Sequence, residues 1–197
     1  MASIPRRWAA LLLALVATLS LVGCGADTAA APAAPPPPAT TPAAPAGLAK
    51  SIPTWLDVPS ISVHSTLVQL GLNPDKTVQV PPVDQPLQAG WYQHSPTPGQ
   101  VGPAVLLGHI DGNHQKGIFW RLHDVKKGDK VQVGRQDGST LTFTVTKVDQ
   151  IAKSSFPTDA VYGNTTDPEL RLITCGGAFD AAAHNYLDNI IVYATLT

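Results

Sequence analysis

Two cysteines occur among the 197 residues, Cys24 and Cys175, and Cys175 stands where a thiol can do chemistry. It ends the run Leu170-Arg171-Leu172-Ile173-Thr174-Cys175 and is followed directly by Gly176-Gly177, a strand-like segment that runs into a flexible turn. Two roles stay open on this local evidence. One is a nucleophile presented to a groove, and the other is a small buried hydrophobe, since free cysteine is among the most buried residue types. A nucleophile needs a base or a cation nearby, because a free thiol has a pKa of about 8.5 and the thiolate is the attacking species. Of the six histidines, His64, His94, His114, His123 and His184 lie in polar or turn-like surroundings and read as exposed. His109 differs. It follows the buried-strand run Ala104-Val105-Leu106-Leu107-Gly108 and precedes Ile110-Asp111-Gly112, so it too ends a core strand. Two strand ends in one small β domain, one bearing Cys and one bearing His, are what a thiol-imidazole pair requires. Their spacing does not by itself bring them together.

The elements that must position these groups read as β-rich. Leu67 to Leu70, Leu141 to Val148 and Asn189 to Leu196 carry strand-forming residues, Asp137-Gly138 signals a hairpin, and Pro and Gly punctuate at short intervals. No amphipathic helical window exceeds about two turns. Trp91-Tyr92 and Phe119-Trp120 are expected mainly in the core, with an apolar groove as the other use of such rings. The globular composition begins at Ser51, which sets a single domain over residues 51–197. Beyond residue 50 there are 10 Lys and Arg against 13 Asp and Glu, a net charge of −3 with histidine neutral. Lys126-Lys127 is the one basic pair, so neither a nucleic acid nor a basic membrane-surface patch is expected.

The first 50 residues are of another kind. Arg6-Arg7 followed by the apolar run Trp8 to Leu19 reads as a targeting segment over residues 1–24. It ends in Leu21-Val22-Gly23-Cys24, which resembles the lipobox of bacterial lipoproteins, where cleavage leaves a lipidated cysteine. Cys24 is therefore the expected lipid anchor, with an uncleaved signal anchor as the alternative. Residues 25–50 are rich in Ala and Pro, with Pro35 to Pro38 the stiffest stretch. Such sequence favours extended polyproline II and reads as a tether, or else as a ligand for a proline-recognition module. Both anchoring modes place the domain on the extracytoplasmic face of a bacterial cytoplasmic membrane. With Cys24 lipidated, the domain keeps one thiol and no disulfide partner.

The segments Gly102-Pro103-Ala104-Val105-Leu106-Leu107-Gly108-His109-Ile110-Asp111 and Leu170-Arg171-Leu172-Ile173-Thr174-Cys175-Gly176-Gly177 resemble the two catalytic motifs of sortases. Between them, Gly117-Ile118-Phe119-Trp120-Arg121-Leu122 and Lys127-Gly128-Asp129-Lys130-Val131 are similar to the loop and strand that link those motifs. The resemblance covers Ile52 to Ala194. Thr174-Cys175-Gly176-Gly177 together with Tyr186-Leu187-Asp188-Asn189 looks most like the actinobacterial class F branch. The resemblance implies a mainly β fold, a closed eight-stranded barrel with short helices. It implies that Cys175 attacks the Thr-Gly bond of an LPXTG-like sorting signal and forms a thioacyl enzyme. An amine from a peptidoglycan precursor or a pilin lysine then releases the product, with hydrolysis as the side reaction. His109 protonates the leaving amine and deprotonates the incoming one, work suited to an imidazole. Thr174 and Gly176 are expected to contact substrate, and neither a metal nor a cofactor is implied.

One part of the pattern is missing. Sortases carry an arginine on the strand after the cysteine, thought to bind substrate and stabilise the oxyanion, and this chain has Leu187, Asp188 and Asn189 there. The domain's arginines are Arg121, Arg135 and Arg171. On a strand, Arg171, Ile173 and Cys175 share a face, and Arg171 lies about 13 Å from Cys175. Arg171 is thus the first choice for the third site residue, with a surface or ion-pair role as its alternative, and Arg121 in the loop between motifs is the second. Arg135, before the Gln136-Asp137-Gly138 turn, reads as solvated. The missing arginine also leaves open a catalytically impaired surface binding module with a sortase fold. A cysteine peptidase or an L,D-transpeptidase is the other acyl-transfer class, although the latter places His and Gly closely before the Cys in one segment, which this chain lacks.

Overall fold

The computed structural model describes residues 47–197. The targeting segment, Cys24 and most of the tether lie outside them. Among the described residues ten strands are formed: β1 Pro53–Val58, β2 Val63–Leu70, β3 Ala89–Tyr92, β4 Gly102–Gly108, β5 Asp111–Gly112, β6 Gln115–Lys116, β7 Lys130–Arg135, β8 Thr140–Ala152, β9 Pro168–Asp180 and β10 Asn185–Leu196. One α-helix, α1, spans Thr158–Tyr162, and single 3-10 turns occur at Pro59–Ile61, Leu122–Asp124 and Lys153–Ser155. Eight strands close a barrel in the order β1-β2-β3-β4-β9-β10-β8-β7, and β5 pairs with β6 in a separate small hairpin. The expected mainly β fold with a closed eight-stranded barrel is what forms. Among the described residues no helix is long and apolar enough to cross a membrane.

Side-chain alternation explains why these segments are strands. Leu170, Leu172 and Thr174 of β9 are buried, and Leu170 and Leu172 join Ala104 and Leu106 of β4 and Ile190, Val192 and Ala194 of β10 in the barrel interior. The intervening residues Val105, Ile173, Ile191 and Tyr193 form a second apolar cluster outside the barrel, packed under Val161 of α1 with Phe156 and Tyr162 against it. A strand buried on both faces reads as a continuous apolar run rather than an alternating one, which is why residues 102–108 and 170–174 look featureless in period. Each fully buried Leu, Ile or Phe contributes about 1.5–3 kcal/mol.

The decisive topological feature is a parallel pair. β4 and β9 run parallel from Gly102↔Pro168 to Leu107↔Ile173, so the two strands reach the same rim of the barrel together. β10 then lies antiparallel to β9 with Asn189 opposite Cys175, and β8 lies antiparallel to β10 with Ile151 opposite Asn189.

The expected core packing of the rings holds for Trp91 and Phe119, and one reading of the sequence changes, that of Arg135. Trp91 and Phe119 are core, 2% and 0% exposed, while Trp120 is half-buried beside a cleft. Arg135 is buried rather than solvated. The segment just before β1 covers it, its Nη2 donates to the Ala49 carbonyl, and Asp137 lies 3.3 Å away. Backbone bonding to the barrel thus begins upstream of Ser51, with the Leu48 amide donating to Gly99 O at 2.7 Å.

Candidate active site

The parallel register, carried two residues past Leu107↔Ile173, leads to His109 and Cys175. Alternation puts both on the outer face, because Leu106 and Leu172 face inward and each residue of interest is an odd number of steps further. With Asn189 paired to Cys175, three neighbouring strands about 4.8 Å apart present His109, Cys175 and Asn189 at one rim. All three are half-buried, accessible to a substrate yet partly screened from water.

His109 is clamped from two sides. Its Nε2 lies 2.6 Å from the carbonyl oxygen of Pro81, in the connection between β2 and β3. A carbonyl only accepts, so Nε2 carries the hydrogen and Nδ1 is the nitrogen left to exchange a proton. The His109 carbonyl accepts from the Phe119 amide at 2.9 Å, and the Gly117 amide donates to Ile110 O at 2.7 Å. Gly117 permits this closeness, since a Cβ there would fall 2.3 Å from His109 O. Gly117→Ala should therefore displace the His109 backbone and cost about 2 kcal/mol. A melting temperature lowered by roughly 4–8 °C in circular-dichroism unfolding would show it.

The residues after Cys175 are equally constrained. Gly177 has φ +74° and a Cβ there would meet Asp188 Oδ2 at 2.3 Å, while a Cβ on Gly176 would strike Ile190 from the interior side. Thr174 is 3% exposed, and by alternation its side chain points into the barrel, away from the thiol's face. Contacts from Thr174 and Gly176 to a substrate would thus come from backbone atoms.

Neither of the two arginines offered from sequence contacts the thiol. Arg171 is 3% exposed. Its Nη2 lies 2.6 Å from Glu169 Oε2, the guanidinium donates to the carbonyls of Ala160 and Leu170, and it stacks 4.6 Å over the Tyr193 ring. It shares a face with Cys175, as expected, but is held in the second apolar cluster under α1. Arg121 is exposed and paired with Asp124 at 2.8 Å. The group that does reach the sulfur was not singled out in the sequence. Lys153 Nζ lies 3.5 Å from Cys175 Sγ and 2.6 Å from Asn185 Oδ1. Nothing in Ile151-Ala152-Lys153-Ser154-Ser155 marks this lysine, because the contact spans from the end of β8 across β10 to β9.

Beside this rim lies a cleft of about 560 Å³ lined by Asp111, Lys116, Trp120, Phe179 and Tyr186 among others. Lys116 sits over the Trp120 ring, and Phe179 meets Tyr186 edge to face. The Tyr186 hydroxyl donates to Asp111 Oδ2. That bond, then burial, then the negative charges of Asp111 and Cys175, push the phenol up to about 12. The folded state therefore holds this proton more tightly than the unfolded chain, whose tyrosines titrate near about 10. The stability it contributes is complete below about pH 10 and is lost as pH rises toward 12. Tyr186→Phe should flatten that alkaline decline in unfolding measurements and remove one late-titrating phenolate from the absorbance titration.

Comparison with known proteins bears on what such a rim does. No curated protein matches in sequence. The fold is similar to that of a lid mutant of sortase A from Corynebacterium diphtheriae, with TM-score 0.57 and 19% identity over 76% of this chain and 72% of that one. It is similar to sortase C-1 from Actinomyces oris, with TM-score 0.58 and 19% identity over 73% of each chain. A sortase D5 transpeptidase from Clostridium perfringens gives TM-score 0.54 and 19% identity over 75% of this chain and 79% of that one. The model of the sortase domain matches residues 56–197, which is nearly all of the barrel, and the chain accordingly belongs to the sortase family of cysteine transpeptidases.

Proposed function

We propose that this protein is a cell-surface cysteine transpeptidase that cleaves an LPXTG-like sorting signal through a thioacyl intermediate on Cys175 and passes the acyl group to an amine. The observation that carries this reading is the parallel β4–β9 register, which leads Cys175 and His109 to one rim and one face. In the forward half, with the thiol proton passed to His109 Nδ1, the Cys175 thiolate attacks the Thr carbonyl, and the carbonyl π electrons move to oxygen. Collapse of the tetrahedral species expels the glycine amine, which takes a proton from His109 Nδ1. In the second half the acceptor amine attacks the thioacyl carbon, loses a proton to His109, and restores the thiolate. The acceptor is a peptidoglycan precursor or a pilin lysine, with water giving the hydrolytic side reaction.

The class F assignment rests on Thr174-Cys175-Gly176-Gly177 and Tyr186-Leu187-Asp188-Asn189. Sortases are cell-surface enzymes, and membrane attachment here is assigned to a lipidated Cys24 or to an uncleaved signal anchor. The backbone of Thr174 and Gly176 flanks the thiol and is available to an extended peptide.

A second reading, a sortase-fold binding module without catalysis, is favoured by the engagement of Arg171 with Glu169 and Arg121 with Asp124. Incubating residues 47–197 with an LPXTG-type peptide and an amine acceptor separates the two. The transpeptidase gives a peptide adduct on Cys175 and an amide product by mass spectrometry. Peptide binding with neither species would establish the module.

A further inference from the structure

We infer that Lys153 supplies the cation of this site, in the place where the family pattern has an arginine; its catalytic part rests on the transpeptidase reading above. Three observations converge on it. First, Lys153 Nζ is the hydrogen-bond partner of Cys175 Sγ among the described residues, at 3.5 Å. Second, the arginines are committed elsewhere. Each arginine of the barrel domain faces a carboxylate, Arg121 on Asp124, Arg135 on Asp137 and Arg171 on Glu169, whereas Lys153 forms no ion pair among the described residues. Third, its ammonium is held by a neutral group, the Asn185 side-chain oxygen at 2.6 Å, which orients the charge without cancelling it.

The geometry states what that charge can do. When the sulfur attacks a carbonyl carbon, the oxyanion that forms is two bonds from the sulfur. A donor already within reach of Sγ therefore swings onto the oxyanion with little movement of its Cα, and a lysine carries three donor hydrogens on a flexible stem. An oxyanion donor is worth most when it is in place beforehand in a partly water-screened site, and Lys153 is half-buried with Nζ already tethered. The ammonium keeps its protons throughout, while His109 handles those of the two amines. Lysine delivers a point charge rather than the planar fork of a guanidinium, which fits a single oxyanion oxygen better than bidentate recognition of a peptide.

Two readouts on the folded 47–197 domain test this. Alkylation of Cys175 by anionic iodoacetate and by neutral iodoacetamide shares one thiolate, so the ratio of the two rates reports local positive charge alone. Lys153→Met should lower that ratio about fivefold or more, and Lys153→Arg should preserve it. With peptide and amine, Lys153→Met should lower kcat about 10²-fold with KM changed by less than about threefold, and Lys153→Arg should recover most of the loss. An unchanged alkylation ratio in Lys153→Met, or a rise in KM with kcat intact, would overturn the assignment. Should Lys153→Met fail to fold, Lys153→Gln carries the same two expectations. If the unaltered protein never acylates, the transpeptidase reading fails, and the alkylation ratio still decides whether Lys153 charges the thiol's surroundings.

Discussion

Cys175→Ala is expected to reduce amide-product formation by about 10³-fold or more, to the level of the uncatalysed reaction, and to abolish the peptide adduct. Removing the sulfur removes the covalent route altogether, and losing one member of a catalytic unit costs about as much as losing several. The fold should not follow. Cys175 is half-buried at a barrel rim, outside the interior cluster, so truncating its one polar atom leaves no large cavity. Peptide affinity measured by titration calorimetry should stay within about threefold, since peptide contacts come from the surrounding groove. A product yield equal to that of the unaltered protein would sink the assignment of Cys175, and a lost melting transition would mean that the thiol is structural.

His109→Gln is expected to lower kcat by about 10²–10⁴-fold, the range that general acid–base catalysis contributes. Glutamine is the informative replacement because its side-chain amide can still donate to the Pro81 carbonyl that Nε2 meets at 2.6 Å. The clamp between the β2–β3 connection and the end of β4 is then kept while the proton-exchanging Nδ1 is lost. The deficit should depend on the leaving group. An amide substrate must expel an amine that needs a proton, whereas an activated ester does not, so the loss on the ester should be at least about tenfold smaller. Equal losses on both substrates would assign His109 to positioning instead. The pairing with Lys153→Met is useful here, because an oxyanion donor serves both leaving groups equally and its loss should not discriminate between them.

Much of this architecture was legible in order along the chain, and the reasons are local. Strand content follows from β-branched runs such as Ile190-Ile191-Val192, which pack well on a pleated surface. The Asp137-Gly138 hairpin follows from the need for a positive φ, here +83° at Gly138. The thiol and the imidazole were legible as well, as polar groups closing two apolar runs. Arg171 was legible in part. Alternation put it on the face of Cys175, but the direction of a long side chain is decided by its surroundings, and Glu169, the Ala160 carbonyl and the Tyr193 ring hold it away.

Residue type and spacing within single segments were enough for the β-rich class, the two strand-end residues and the absence of an arginine after Cys175. Long-range contacts settled the rest. That β4 and β9 lie side by side and parallel, so that His109 and Cys175 come to one rim, depends on a crossover through β5 to β8 and α1 that no local pattern specifies. That Lys153 is the cation at the sulfur depends on β10 lying between β8 and β9. Both arrangements join segments far apart in the chain, and their energy comes from packing that exists only once the barrel has closed.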